Sequence, residues 1–361
     1  MVLLCILKLT PMLLQENVPL APLTTFRLGG PARFLVEARS VDEVQQAVAF
    51  ARSKDMPLFI LGGGSNLLVA DRGWPGLVLK VSITGIDRRP GEIDGKALFD
   101  VGAGEAWDRF VSQSVIAQCA GVECLSGIPG SVGGTPVQNV GAYGQEVSET
   151  IESVEVLDLK DGPVRELCRE ACGFSYRSSI FNTTERGRFV IVRVTYAVTP
   201  GGDPHIAYAD LKRHFEGRQT QPSLAETREA VLHIRARKGM LIVPGDPDSL
   251  SAGSFFKNPV ISEEQHEDLR KRAAAQGFTL TSYPALEKSK KISAAWLVEH
   301  SGFGRGYGFG RAGISSKHAL AIVNRGGATA AEVLALKDQI QQRVEQIWGV
   351  RLEPEPVMVG F

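Results

Sequence analysis

The chain carries no excess charge of either sign: 40 Lys and Arg stand against 40 Asp and Glu in 361 residues. No global field therefore draws it to nucleic acid or an anionic membrane, and any phosphate it binds must be held by local groups. No histidine precedes His205, which removes a Cys/His zinc cluster from the region of Cys119 to Cys172 and leaves no metal site to expect. The five cysteines, Cys5, Cys119, Cys124, Cys168 and Cys172, are odd in number and sit in apolar or helical stretches. They are expected to be buried free thiols, as in a reducing compartment. No apolar run reaches the length of a membrane span. The opening Met1-Val-Leu-Leu-Cys-Ile-Leu lacks a charged leading segment and is interrupted by Lys8 and Pro11. That argues against export, makes Met12 an alternative start and places the protein in the cytoplasm. Repeats and low-complexity tracts are also absent. What remains, 43% hydrophobic and 22% charged, is ordinary for a soluble chain long enough for two or three domains.

Strand and helix signals alternate through the first half. Residues 32–37 alternate apolar and polar. Ser40 and Glu43 then form a capping-box pattern ahead of a helix with Val44, Ala47, Val48 and Ala51 on one face. Residues 57–61 read as a short buried strand, further strands are expected at 77–83 and 98–103, and Trp107, Val111 and Val115 mark a second helix. Residues 153–199 are strand-rich. Helical spacing returns at 225–237, where the domain is expected to change. The last helix begins at Thr329 with Glu332 three residues on, buries Val333, Leu336, Ile340, Val344 and Ile347, and stops at Gly349. The polar stretch 201–221, containing Tyr208, fits no single pattern.

Two glycine-rich loops carry most of the chemistry. In Leu61-Gly62-Gly63-Gly64-Ser65-Asn66, three glycines after a strand can take positive φ and turn successive N–H groups toward one anion, with Ser65 and Asn66 adding donors. A plain tight turn is the alternative. The second loop runs from Gly127 through Gly130, Ser131, Gly133 and Gly134 to Asn139, Gly141, Ala142 and Gly144. Glycine at that density is costly in backbone entropy, and a large cofactor lying against bare backbone would offset the cost. By contrast, Gly308-Phe-Gly310-Arg-Ala-Gly313 spells G-x-G-x-x-G without a strand before it and a helix after it, so it is not a dinucleotide fingerprint.

At these loops the sequence resembles the UDP-N-acetylenolpyruvoylglucosamine reductases, from about Thr24 to Gly360. The motifs, in order, are Thr25-Phe-Arg-Leu-Gly-Gly-Pro-Ala, Leu61-Gly-Gly-Gly-Ser-Asn, Gly127-Ile-Pro-Gly-Ser-Val-Gly-Gly, Tyr176-Arg-Ser-Ser-Ile-Phe, Ala252-Gly-Ser-Phe-Phe-Lys-Asn-Pro and Leu352-Glu-Pro-Glu. The resemblance implies an α+β chain: a two-part FAD-binding module of the p-cresol methylhydroxylase type, then a smaller α+β substrate-binding domain. It suggests an extension at 1–17, the module at 18–215, the substrate domain at 216–350 and a C-terminal strand carrying Glu355 at 351–361. Non-covalent FAD is expected against Leu61, Gly62, Gly63, Gly64, Ser65, Asn66, Gly130, Ser131, Gly134, Asn139, Gly141 and Ala142. The family reaction takes hydride from NADPH to the flavin and then to C3 of an enolpyruvyl ether, with a proton added at C2.

By the same resemblance Arg177 meets the substrate carboxylate, Ser254 donates the proton and Glu355 assists. The chemistry is reasonable: a guanidinium fork suits a carboxylate with developing charge, and an enolate carbon is basic enough to take a hydroxyl proton. Tyr208, Lys238 and Asn258 fall on positions that contact the nucleotide-sugar substrate, and Tyr208 in an inserted segment suggests the subtype whose tyrosine loop folds over it. A monomer is expected. Thr24 stands where the family often has Asn, Pro356 follows Glu355 where an aliphatic residue is usual, and the loop 239–251 fits no pattern. Two rival readings are a sugar or lactone oxidase of the same cofactor fold, disfavoured because no histidine precedes His205 for a covalent flavin link, and a non-catalytic nucleotide-binding module, disfavoured by Arg177, Ser254 and Glu355 occurring together.

Overall fold

The computed structural model describes residues 12–92, 94–285 and 288–361, so the opening segment with Cys5 and the choice between Met1 and Met12 lie outside the described residues. The first sheet orders its strands Leu14–Pro19, Pro31–Ala38, Trp74–Val81 and Leu58–Leu61, the first pair antiparallel and the others parallel. Residues 14–17 are therefore part of this sheet, although the expected extension ran to residue 17. The helix Val41–Ser53 buries Val44, Ala47, Val48 and Ala51, as its spacing requires. Its cap differs from a closed box: Ser40 accepts from the Glu43 N–H, but the Glu43 carboxylate accepts from the Arg39 N–H (2.7 Å).

A second, antiparallel sheet runs Val164–Cys168, Ile151–Asp158, Phe189–Pro200, Ala97–Gly102 and Ile86–Arg88, with Cys119–Ala120 also pairing to Phe189–Pro200. The helix Trp107–Ile116 packs on it through Trp107 and Phe110, whose rings surround Tyr196. One hydrophobic core runs from Val36, Val44 and Leu79 of the first sheet to Phe99, Val154 and Tyr196 of the second. The two subdomains therefore share their interior. Cys119, Cys124 and Cys172 are buried free thiols, while Cys168 is exposed, because it ends a strand at the edge of the second sheet.

The helix Leu224–Arg237 buries Ala230, Val231 and Ile234 with Cys124, Tyr143 and Leu211. Its apolar face thus packs against the first half of the chain. The C-terminal domain builds a separate core of Phe255, Phe256, Trp296, Leu297, Leu336, Ile340 and Trp348 around the helices Glu263–Ala275, Ala294–Glu299 and Ala330–Trp348. The last of these has the Thr329–Glu332 capping box and stops at Gly349 in the left-handed region. Trp348 is buried there, and Ile347 only partly so. Gly308–Phe309 and Ala312–Ile314 form a hairpin, so the literal G-x-G-x-x-G opens no helix. Among the described residues no helix is long and apolar enough to cross a membrane.

Several connections bind the halves. Phe26 and Leu28 bury themselves in the C-terminal core, with Phe26 edge-on to Phe255. The carboxylate of Asp71 accepts from the N–H groups of Ala330 (2.8 Å) and Ala331 (3.1 Å), the open first turn of the last helix. Finally, the strand Val357–Val359 returns to pair in parallel with Leu67–Val69.

Candidate active site

The two glycine loops meet backbone to backbone. Of Gly62, Gly63 and Gly64, only Gly64 has positive φ (67°), so the run is not a series of three left-handed residues. Glycine is required for close approach instead: a Cβ on Gly63 would stand 2.4 Å from Gly130 Cα, and one on Gly62 would stand 2.7 Å from Ser131 Oγ. Ser131 Oγ accepts from the Gly63 N–H (3.1 Å). The N–H groups of Gly64, Ser65, Asn66, Gly130 and Ser131 meet no protein acceptor among the described residues. Such a row of unpaired donors fits the pyrophosphate of a bound FAD.

Leu61 ends its strand buried, Gly134 is exposed, and Gly141 and Ala142 form one side of a short hairpin with Gln145–Glu146. Asn139 is engaged within the protein: its amide donates to Glu146 and to the Ser175 carbonyl, and its oxygen accepts from the Ser148 N–H. Asn66 donates to Gln138 Oε1 (2.8 Å) and to the Glu355 carbonyl (3.2 Å), linking the first loop to the C-terminal strand.

The expected catalytic residues arrive from three parts of the chain. Ser175 and Ser178 exchange backbone hydrogen bonds (3.0 and 3.1 Å) around a two-residue turn that puts Arg177 at φ 54°. That conformation costs a non-glycine residue of order 1 kcal/mol and persists only where the surroundings fix it. Arg177 Nη2 donates to the Gly141 carbonyl (2.7 Å), and its Nε lies 3.1 Å from Glu355 Oε1. Ser254 lies in a segment antiparallel to 353–355: Glu355 N–H donates to the Phe255 carbonyl and Lys257 N–H to the Glu353 carbonyl. The Ser254 hydroxyl, half-buried, hydrogen-bonds to no other described residue and is free to serve a ligand. Burial raises the Glu355 carboxyl from its ordinary value, against the pull of Arg177 and Lys257. Pro356 leaves this pairing intact.

Asn258 accepts from the Ala294 N–H (2.9 Å), and the Tyr176 ring lies 5.3 Å from the Arg177 guanidinium and 4.7 Å from Lys291 Nζ. Tyr208 meets Tyr143 edge-on (5.4 Å), and Lys238 Nζ lies 5.9 Å from the centre of the Tyr143 ring. Sequence reasoning passed over the groups that complete this cluster. Tyr143 is pushed up to about 12 chiefly by burial, which the charge of the buried Arg235 opposes. His318 is pushed down to about 4 by burial and then by Lys238, Arg305 and Arg235. The buried Arg235 and the more exposed Lys238 and Arg305 give this end of the site a positive field that suits phosphate. A cavity of about 670 Å³ is lined in part by Tyr176 and Asn258, but not by Arg177, Ser254 or Glu355.

The loop 239–251 is now placed. Lys317 pairs with Asp246 (2.5 Å), Asp248 accepts from the backbone and hydroxyl of Ser316, and Thr25 donates to the Ser251 carbonyl (2.6 Å).

Fold and site together define an FAD-binding module joined to a second α+β domain. Residues 32–167 match the family model for the FAD binding domain, and residues 246–359 match that for the C-terminal domain of UDP-N-acetylenolpyruvoylglucosamine reductase. The chain is 45% identical to the UDP-N-acetylenolpyruvoylglucosamine reductase of Thermobifida fusca, over 96% of this chain and 98% of that protein. It is 44% identical to that of Streptomyces coelicolor, over 98% and 92%. Its fold resembles the crystal structure of the corresponding reductase from Thermus caldophilus, with a TM-score of 0.65 and 28% identity, covering 97% of this chain and all of that one. The chain belongs to the UDP-N-acetylenolpyruvoylglucosamine reductase family.

Proposed function

We propose that this protein reduces UDP-N-acetylglucosamine enolpyruvate to UDP-N-acetylmuramate, a step of peptidoglycan precursor synthesis, with NADPH as donor. The observation that carries the reading is the meeting of Arg177 and Glu355 at 3.1 Å, with the segment of Ser254 paired backbone to backbone with that of Glu355. Bound FAD, held non-covalently on the unpaired amides of the two glycine loops, supplies the hydride chemistry. Arg177 turns its guanidinium from Glu355 toward the substrate carboxylate and stabilises the charge that develops there. Ser254 Oγ delivers the proton to C2. Glu355, its carboxyl raised by burial, assists by polarising the site. Lys238 and Tyr208 receive the diphosphate, Asn258 holds the sugar side of the cleft, and the Tyr208 segment folds over bound substrate as in the tyrosine-loop subtype. The same reading makes the protein a cytoplasmic monomer.

Anaerobic stopped-flow of the purified yellow protein tests this. NADPH should bleach the flavin absorbance, and the enolpyruvyl substrate should restore it rapidly. Recovery only with oxygen would replace the reductase with an oxidase. In Ser254→Ala the NADPH phase should be unchanged while the substrate phase slows by at least ~10²-fold, the scale of losing one transition-state donor. Equal loss in both phases would make Ser254 structural.

A further inference from the structure

Lys238, which the reading above assigns to the substrate diphosphate, already has an anionic partner: its Nζ lies 2.5 Å from Asp210 Oδ2. Asp210 stands two residues past Tyr208, in the first turn of the short helix Ala209–His214. The segment leading into that helix is fastened at its other end, where the buried Glu123 accepts from the His205 N–H (2.9 Å) and the Cys124 thiol donates to the His205 carbonyl (3.1 Å). Between these ties Tyr208 lies edge-on against Tyr143, and Gly144 abuts the His205 ring. The only other cation paired with Asp210 among the described residues is Arg213, at 3.5 Å and largely exposed. Residues 205–210 are thus held over the hairpin that follows Gly141, chiefly by Glu123 at one end and Lys238 at the other.

A phosphate approaching Lys238 meets the Asp210 carboxylate in the same place, and two anions cannot share one ammonium without repulsion. We propose that Asp210 is a positioning residue that stands in for the substrate phosphate. In the free protein it holds Lys238 and the Tyr208 segment together, and a ligand must displace it. The inference rests on the assignment of Lys238 to that ligand.

The test is titration of the holoenzyme with UDP, UMP and inorganic pyrophosphate, followed by flavin fluorescence and calorimetry, in wild type, Asp210→Asn, Lys238→Ala and the double variant. Asp210→Asn should bind UDP and pyrophosphate roughly three- to fivefold more tightly, the scale of one partly exposed ion pair. The gain should vanish on the Lys238→Ala background. A merely structural Asp210 would weaken binding or leave it unchanged, and either result overturns the proposal. If Lys238→Ala weakens UDP while Asp210→Asn fails to tighten it, only the Asp210 inference falls. If wild type does not bind UDP, the substrate reading falls with it.

Discussion

Arg177 shows how a single residue can be placed for chemistry at a cost in stability. Its φ of 54° suits glycine, yet the guanidinium reaches Glu355 and the Gly141 carbonyl only from that turn. Arg177→Gly and Arg177→Ala both lose the side chain and should both abolish substrate reduction. In urea titration the glycine variant should be the more stable by about 1 kcal/mol, since alanine retains the strain and glycine does not. Equal stability would show that the turn carries no strain. His318 offers a second test. With its folded value near 4 and an ordinary value near 6.5, the native state binds fewer protons than the unfolded chain. Its contribution is complete above about pH 6.5, declines as pH falls, and is lost by about pH 4; it amounts to at most about 3 kcal/mol. His318→Asn keeps an acceptor for the Leu320 N–H, which His318 Nδ1 now takes at 3.0 Å. The variant should therefore show a flatter stability curve across that window, and an unchanged curve would mean the ring is protonated in the folded state.

At the level of elements, caps and returning strands decide where the candidate site residues lie. The last helix has its own box, Thr329 with Glu332, yet its first turn also receives Asp71 from the other half of the molecule. Asp71→Ala should cost about 1 kcal/mol, the usual effect of losing a helix N-terminal acceptor, and the loss should appear as a lower urea midpoint with unchanged slope. A shift below a few tenths of that would show the box to be sufficient. The segment around Ser254 and the strand Val357–Val359 form a second device. One belongs to the C-terminal domain, the other pairs with Leu67–Val69, and Glu355 lies between them with its N–H on the Phe255 carbonyl. The carboxylate is thus fixed by both halves at once.

On the scale of the whole molecule, the site is a seam. The flavin module supplies the glycine loops and Arg177, the C-terminal domain supplies Ser254 and Asn258, and the final strand supplies Glu355. Phe26, Leu28 and Asn324, which donates to the carbonyls of Phe26 and Arg27, close that seam from below. Tyr143, Arg235, Lys238 and His318 gather at one end of it, where phosphate is expected. The amino-acid order by itself determined the periodic helices, the glycine stop at Gly349, the family and the catalytic candidates, because caps, apolar spacing and dense motifs are local signals. It also showed that Gly308 to Gly313 could not open a dinucleotide helix. Only the tertiary structure decided that Gly63 is glycine because Gly130 lies against it, that the helix Leu224–Arg237 faces Tyr143, and that Asp210 already occupies Lys238. Each of these depends on which surfaces meet across long stretches of chain, and neither a propensity nor a period in the sequence encodes that meeting.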